Sequence, residues 1–352
     1  MEPTRPTCPD CGAAAPGAPS RRDFLRAAGT AAVAAGLPLF ATPKAKAAPT
    51  PASAAETAVK GLYDSLTDEQ RAKICFDWDH KQGSRGLLRT FVANNWQVTP
   101  HRIKSDFYTP KQQAIIHDIF KGLINPEWYG RFMKQLKDDS GGQPWGASQS
   151  IAIFGKPGDG KFELVLTGRH QTLRADGNTE SHVAFGGPIF YGHAAQGFNE
   201  KPDHPGNVFW PQALMANEVY KMLDDKQRQR ALVQKLPVEQ AVDFHGPDKQ
   251  KRTGLPVAEM SDDQKKMMQK VLASLLDPFR KEDQAEALKC LQAQGGLDHC
   301  TLTFYKDEDI GNDGVWDNWR LEGPALVWYF RGAPHVHVWV RIADDPSVEL
   351  NA

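Results

Sequence analysis

The chain has 352 residues, 40% of them hydrophobic and 24% charged, with a formal net charge of −1. That much apolar side chain over that length sustains a large core and excludes a disordered or low-complexity chain. The near-neutral balance, with no Lys/Arg run, argues against nucleic acid or an anionic membrane surface as a partner.

The first 47 residues read as a targeting segment. Ser20-Arg21-Arg22-Asp23-Phe24-Leu25 carries a twin-arginine pair, a mild apolar run extends from Ala27 to Ala41, and Ala45-Lys46-Ala47 offers a small-x-small cleavage site. The run is too short for a membrane span, which needs about 20 apolar residues. This predicts a precursor handled by the twin-arginine translocation machinery and a periplasmic or secreted mature protein with no membrane span. Twin-arginine export carries folded proteins, many of which collect a cofactor first, so the signal raises the expectation of a cofactor without establishing one. Cys8 and Cys11 precede the signal, and one Cys-x-x-Cys pair is half of a zinc ribbon with no second half in the chain. Removing residues 1–47 leaves 36 basic and 40 acidic side chains and three cysteines, Cys75, Cys290 and Cys300. Cys290 and Cys300 are close enough in sequence to pair across a short loop, but a core of this size does not need the bridge, and free thiols are the expectation.

Residues 48–65 are expected to be a flexible lead-in, followed by one α+β domain over 66–345, a mostly antiparallel sheet packed against several helices. Thr67 with Gln70 has the spacing of a capping box, and similar hexamers recur at Leu223–Arg228 and Met260–Lys265 as helix starts. Residues 76–108 are irregular and aromatic. Residues 110–137 read as two helices broken at Asn125-Pro126, and 138–145 as a polar, glycine-rich loop. Strands are predicted at 150–154, at 162–174 after a Lys156–Lys161 turn, and at 182–191. A long loop over 192–211 carries His193 and His204. Helices follow near 212–234, 262–276 and 279–293, and then strands at 299–305, 320–330 and 335–342. Neither set of strands is large alone, so the two are expected to join in one sheet.

The last strand is the most informative. Side chains alternate across a strand, so Val336, Val338 and Val340 share a core-facing side, while His335, His337, Trp339 and Arg341 share the other. Two imidazoles about 7 Å apart at the backbone can converge on one metal ion or one anion. The plainer reading is two histidines on a half-exposed sheet face.

Phe154-Gly155-x-Pro157, Leu166-x-Gly168-x-His170-x-x-Leu173, Pro188-x-Phe190-x-Gly192, the helix start at Asp224-x-x-Gln227-Arg228, and His335-x-His337 with Arg341 occur in that order. The series resembles a bacterial secreted family known as domain of unknown function 3500, over about Leu66 to Arg341. The family pattern has Gly-His-His where this chain has Gly168-Arg169-His170. If Arg169 and His170 are strand neighbours they face opposite ways, which makes the retained His170 the site candidate. The resemblance implies architecture and site position, and brings no activity with it.

Two classes of function follow. In the first, His170 joins His335 and His337 if their strands are neighbours, and three imidazoles bind Zn, Cu or Fe with a coordination position left for chemistry, in a hydrolase or an oxidoreductase. His193 and His182 are possible further ligands, and Arg169 and Arg341 possible anion partners. In the second, the protein is a non-catalytic extracytoplasmic binder of a small ligand or a metal, its aromatic, arginine and histidine side chains lining a cleft. Metal-free hydrolysis lacks a Gly-x-Ser-x-Gly elbow or any marked nucleophile. The Asp309–Gly314 segment lacks the full spacing of a calcium loop and reads as a surface turn. Gly155–Lys161 lacks the spacing of a phosphate loop and reads as a hairpin turn.

Overall fold

Eight helices are formed among the residues the computed structural model describes, which are 48–194, 206–247, 252–348 and 350. They are α1 (Ala54–Ser65), α2 (Asp68–Ile74), α3 (Pro110–Leu123), α4 (Pro126–Asp139), α5 (Trp210–Met222), α6 (Asp225–Ala231), α7 (Asp262–Leu276) and α8 (Lys281–Ala293). The targeting segment with Cys8 and Cys11, and His204 of the long loop, lie outside the described residues.

All three hexamers are helix starts. Thr67, Asp224 and Ser261 each close a capping box with the glutamine three residues on, and Thr109 with Gln112 makes a fourth. The boxes work in pairs, since Gln70 Nε2 donates to Gln112 Oε1 (3.0 Å) and Gln227 Nε2 to Gln264 Oε1 (3.1 Å). Asp224 also corrects the single helix expected over 212–234: the chain leaves helix α5 at Leu223 and restarts at the new cap. The lead-in expected to be flexible over 48–65 contains α1. Its Ala55, Val59 and Leu62 are fully buried, and Gly122 on α3 lets Ala55 approach so closely that a Cβ there would lie 3.1 Å from the alanine Cβ. An alanine-rich composition fits both a linker and a tightly packed helix, and here packing decides.

The sheet has eleven strands: β1 (Cys75–Phe76), β2 (Ser150–Gly155), β3 (Phe162–Gly168), β4 (Gln171–Ala175), β5 (Ile189–His193), β6 (Leu232–Val233), β7 (Leu255–Pro256), β8 (Thr301–Tyr305), β9 (Asn318–Gly323), β10 (Leu326–Arg331) and β11 (Val336–Ile342). Its order is β1-β2-β3-β4-β5-β11-β10-β9-β8-β6, with β7 also on β8, and it is antiparallel apart from the short β1–β2 and β6–β8 pairings. The class is α+β. The middle and final sets of strands do join, through antiparallel β5 and β11 with Val338 opposite Tyr191.

Three strand expectations change. Residues 162–174 are a hairpin: Gly168 pairs with Gln171, so Arg169 and His170 form its two-residue turn, with His170 at φ 50°. Residues 320–330 are another hairpin, β9 and β10, closed by Pro324-Ala325 between the paired Gly323 and Leu326. In both, strand-forming residues on either side hid a tight turn that lacks the Asn-Gly or Asp-Gly of a two-residue hairpin loop. The 182–191 strand begins late, at Ile189, after a 3₁₀ turn over Ala184–Gly186.

Both sheet faces are covered, which is why most strand residues are buried on either side. The valines of β11 lie in the helix-covered core with Ile151, Leu166 and Leu302. The opposite face is closed by irregular chain. Leu88, Trp96 and Val98 pack on β2 and β3 residues, and Val242 with Leu236 packs on Tyr329, Trp339 and Phe190.

Candidate metal centre

His170, His335 and His337 are brought together and buried. Their strands are not neighbours, since β5 lies between β4 and β11, and the hairpin turn carries the His170 ring across it. The residue of β5 opposite His337 is Gly192. A Cβ on Gly192 would stand 2.3 Å from the Val336 carbonyl oxygen and 3.3 Å from His170 Cδ2, so a glycine clears the path for the ring. The turn is held from outside the sheet by the His170 backbone N–H, which donates to Asn94 O (2.9 Å).

His337 Nε2 lies 2.9 Å from His170 Nε2 and 2.9 Å from His335 Nε2. One ligand atom from each of the three histidines falls within 4.8 Å of the other two, so the group could hold a metal ion. Nitrogens bound to one tetrahedral ion at about 2.0–2.1 Å sit about 3.3 Å apart, between those limits.

Two carboxylates orient the rings. His170 Nδ1–H donates to Asp139 Oδ2 (2.7 Å), whose other oxygen accepts from Arg169 Nε (3.1 Å). His337 Nδ1–H donates to Glu239 Oε1 (2.6 Å), which also accepts from Trp339 Nε1 (3.1 Å), while Arg331 Nη1 holds Glu239 Oε2 (2.8 Å). These carboxylates fix the tautomers, with the proton on Nδ1 and the lone pair on Nε2. Burial works against ionisation of both. The facing imidazole and arginine outweigh it, holding Asp139 and Glu239 at about 2. Burial drives His170 towards its neutral form, against the pull of Asp139.

The other predicted residues have different places. Arg169 and His170 do not face opposite ways; both reach Asp139, because they sit on a turn and not within a strand. Arg341 shares the sheet face with His337, and its Nη1 pairs with Asp243 Oδ1 (2.8 Å). His193 is fully buried opposite Val336, one residue on from Gly192, so it points to the helix-covered face away from the three histidines. His182 is exposed and meets Asp344 at 2.9 Å. Cys75, Cys290 and Cys300 are free thiols, which burial pushes up to about 11, 12 and 12.

Asp139 and Glu239 were not singled out from the sequence. Asp139 ends α4, just before Ser140-Gly141-Gly142, where a carboxylate opposes the helix dipole. That local conflict is a usable sign of a residue kept for a partner elsewhere. Glu239, in an irregular stretch, had no comparable sign.

Comparison with family models matches residues 48–345 to the family described as protein of unknown function (DUF3500). The chain belongs to this family. No curated protein and no solved structure matches it. The DUF3500 match begins within the lead-in, which agrees with the packing of α1 into the core, and it spans all three histidines together with Asp139 and Glu239.

Proposed function

We propose that this DUF3500 protein is a metal-dependent enzyme with one transition metal, Zn, Cu or Fe, held by His170, His335 and His337. The observation that carries this reading is the meeting of His170 Nε2 and His337 Nε2 at 2.9 Å while both Nδ1 atoms donate to carboxylates. Two neutral rings in those tautomers direct lone pair against lone pair. A cation between them turns that repulsion into two bonds. Three imidazoles with carboxylates behind two of them form the carboxylate–histidine–metal arrangement, and three protein donors leave a fourth position for water or substrate, as in catalytic sites. A metal there would supply Lewis acidity or redox chemistry. The protein's own part is to hold the ring tautomers and limit water around them.

The 2.9 Å contact between the two Nε2 atoms is also compatible with a site that does no chemistry, and the second reading is a non-catalytic extracytoplasmic small-ligand or metal-binding protein. We also propose export by the twin-arginine pathway to the periplasm or beyond. The Arg21-Arg22 pair and the Ala45-Lys46-Ala47 site support it, and among the described residues no helix is long and apolar enough to cross a membrane.

Elemental mass spectrometry on protein purified from its native compartment tests the site, with a His335→Ala/His337→Ala variant in parallel. Near-stoichiometric metal in the wild type, lost in the variant, is the expected result. A metal-free, folded wild type that also takes up no added Zn, Cu or Fe ion sinks the metal reading and leaves the binder.

A further inference from the structure

The buried triad needs a route for whatever it binds, and one of its supports is on a segment fastened differently from the rest. Residues 234–243 cross the sheet face beside the triad without helix or strand. At their start Asp307 N–H donates to Gln234 O (3.0 Å), continuing the β6–β8 pairing; beyond that point their ties to the sheet run through side chains. Tyr329 Oη donates to Pro237 O (3.3 Å), Arg331 and Trp339 hold Glu239, Arg320 donates to Ala241 O, and Arg341 pairs with Asp243. Val242 is its fully buried apolar anchor, Leu236 is half-buried, and Val238 is exposed. A backbone held by polar side-chain ties belongs to the low-stability end of a fold, able to open while the core stays intact. Across the seam, the cover over β2 and β3 is held by buried Leu88, Trp96 and Val98.

We infer that residues 234–243 form a metal-responsive gate over the His337 side of the centre, with Glu239 as its latch. The inference rests on the metal reading above. A cation on His337 Nε2 draws electron density from the ring and makes Nδ1–H a stronger donor to Glu239 Oε1. Closure of the strap and binding of the ion then favour each other by the same factor, since coupling between two binding events is reciprocal. Opening exposes His337 together with Trp339, Tyr329 and Phe190, which lie beneath the strap. Closing restores the carboxylate that orients the ligand. The strap thus combines two tasks, admission to the centre and support of one of its ligands.

The test is amide hydrogen exchange on the full chain, with and without zinc ion, in the wild type and in Glu239→Ala. Bound zinc is measured in parallel, and the β3 amides serve as a fold reference. Zinc is expected to slow exchange across 236–243 by about tenfold in the wild type, a typical coupling, and by far less in Glu239→Ala while β3 stays protected in both. Zinc bound with unchanged strap exchange overturns the gate alone. Equal slowing in Glu239→Ala overturns the latch and with it the inference. Absence of bound zinc, and of bound copper or iron ion when these are added in its place, removes both the gate and the metal centre.

Discussion

Gly192→Ala probes the centre without touching a histidine or a carboxylate. The added Cβ would lie 2.3 Å from the Val336 carbonyl oxygen and 3.3 Å from His170 Cδ2. The first contact is with backbone inside the β5–β11 pairing, so relief requires the two strands to part, and the second pushes the His170 ring from its place. Overpacking of this kind costs about 1–3 kcal/mol. At zinc a hundredfold above its Kd, the wild type would gain about 2.7 kcal/mol from the bound ion. A tenfold loss of affinity from a displaced ring removes about 1.4 kcal/mol of that gain. Urea unfolding with and without zinc separates the two effects. The metal-free variant should unfold at lower urea, and its zinc-induced increment should be roughly half that of the wild type. An unchanged metal-free midpoint would refute the packing argument. A lowered midpoint with a full zinc increment would refute the claim that Gly192 keeps the His170 ring in ligating position.

Asp139→Asn should lower metal affinity by about 10–100-fold, because the amide no longer fixes the Nδ1–H tautomer of His170, and competition with a coloured chelator measures it. A pH effect is expected away from the centre. Burial raises Asp283 to about 7 and Glu286 to about 9, with neighbouring carboxylates adding to the rise and Arg280 opposing it. Both bind protons more tightly folded than unfolded, so their contribution is fully present below the ordinary carboxylate range and falls as pH rises above it, up to about 7 for Asp283 and about 9 for Glu286. Urea midpoints between pH 6 and 9.5 should show that fall, and Glu286→Gln should flatten its upper part. Finally, Cys75, Cys290 and Cys300 should resist iodoacetamide at pH 8 in the native state and react in urea, a contrast read by mass spectrometry, since little thiolate exists at that pH.

Much of the fold was written in local patterns. The capping boxes at Thr67, Asp224 and Ser261 are short-range chemistry and needed no tertiary context. The alternation in β11 correctly separated the valine face from the histidine face, because a strand's period is a property of the backbone. The misread hairpins at Arg169-His170 and Pro324-Ala325 share a cause, strand-forming residues on both sides of a turn that lacks the usual Asn-Gly or Asp-Gly signature. That error also hid how Arg169 and His170 share Asp139, and why His170 crosses β5. His193 looked available on a long loop, whereas its register opposite Val336 turns it to the other face. Asp139 and Glu239 could not be paired with their histidines from the sequence, because those contacts span 31 and 98 residues and depend on how irregular chain crosses the sheet.

The centre lies on the join between β5 and β11, and this orders events in time. His170 and His337 are 167 residues apart in the chain. Closing a loop of that length gains nothing until the strands on either side have paired. During synthesis His170 emerges long before the other two histidines, which follow it by 165 and 167 residues. A three-nitrogen site therefore exists only when both halves of the sheet are built and correctly registered against each other. Ion capture at such a seam would report complete folding, and a chain stopped short of His335 would present a single imidazole with little hold on any metal.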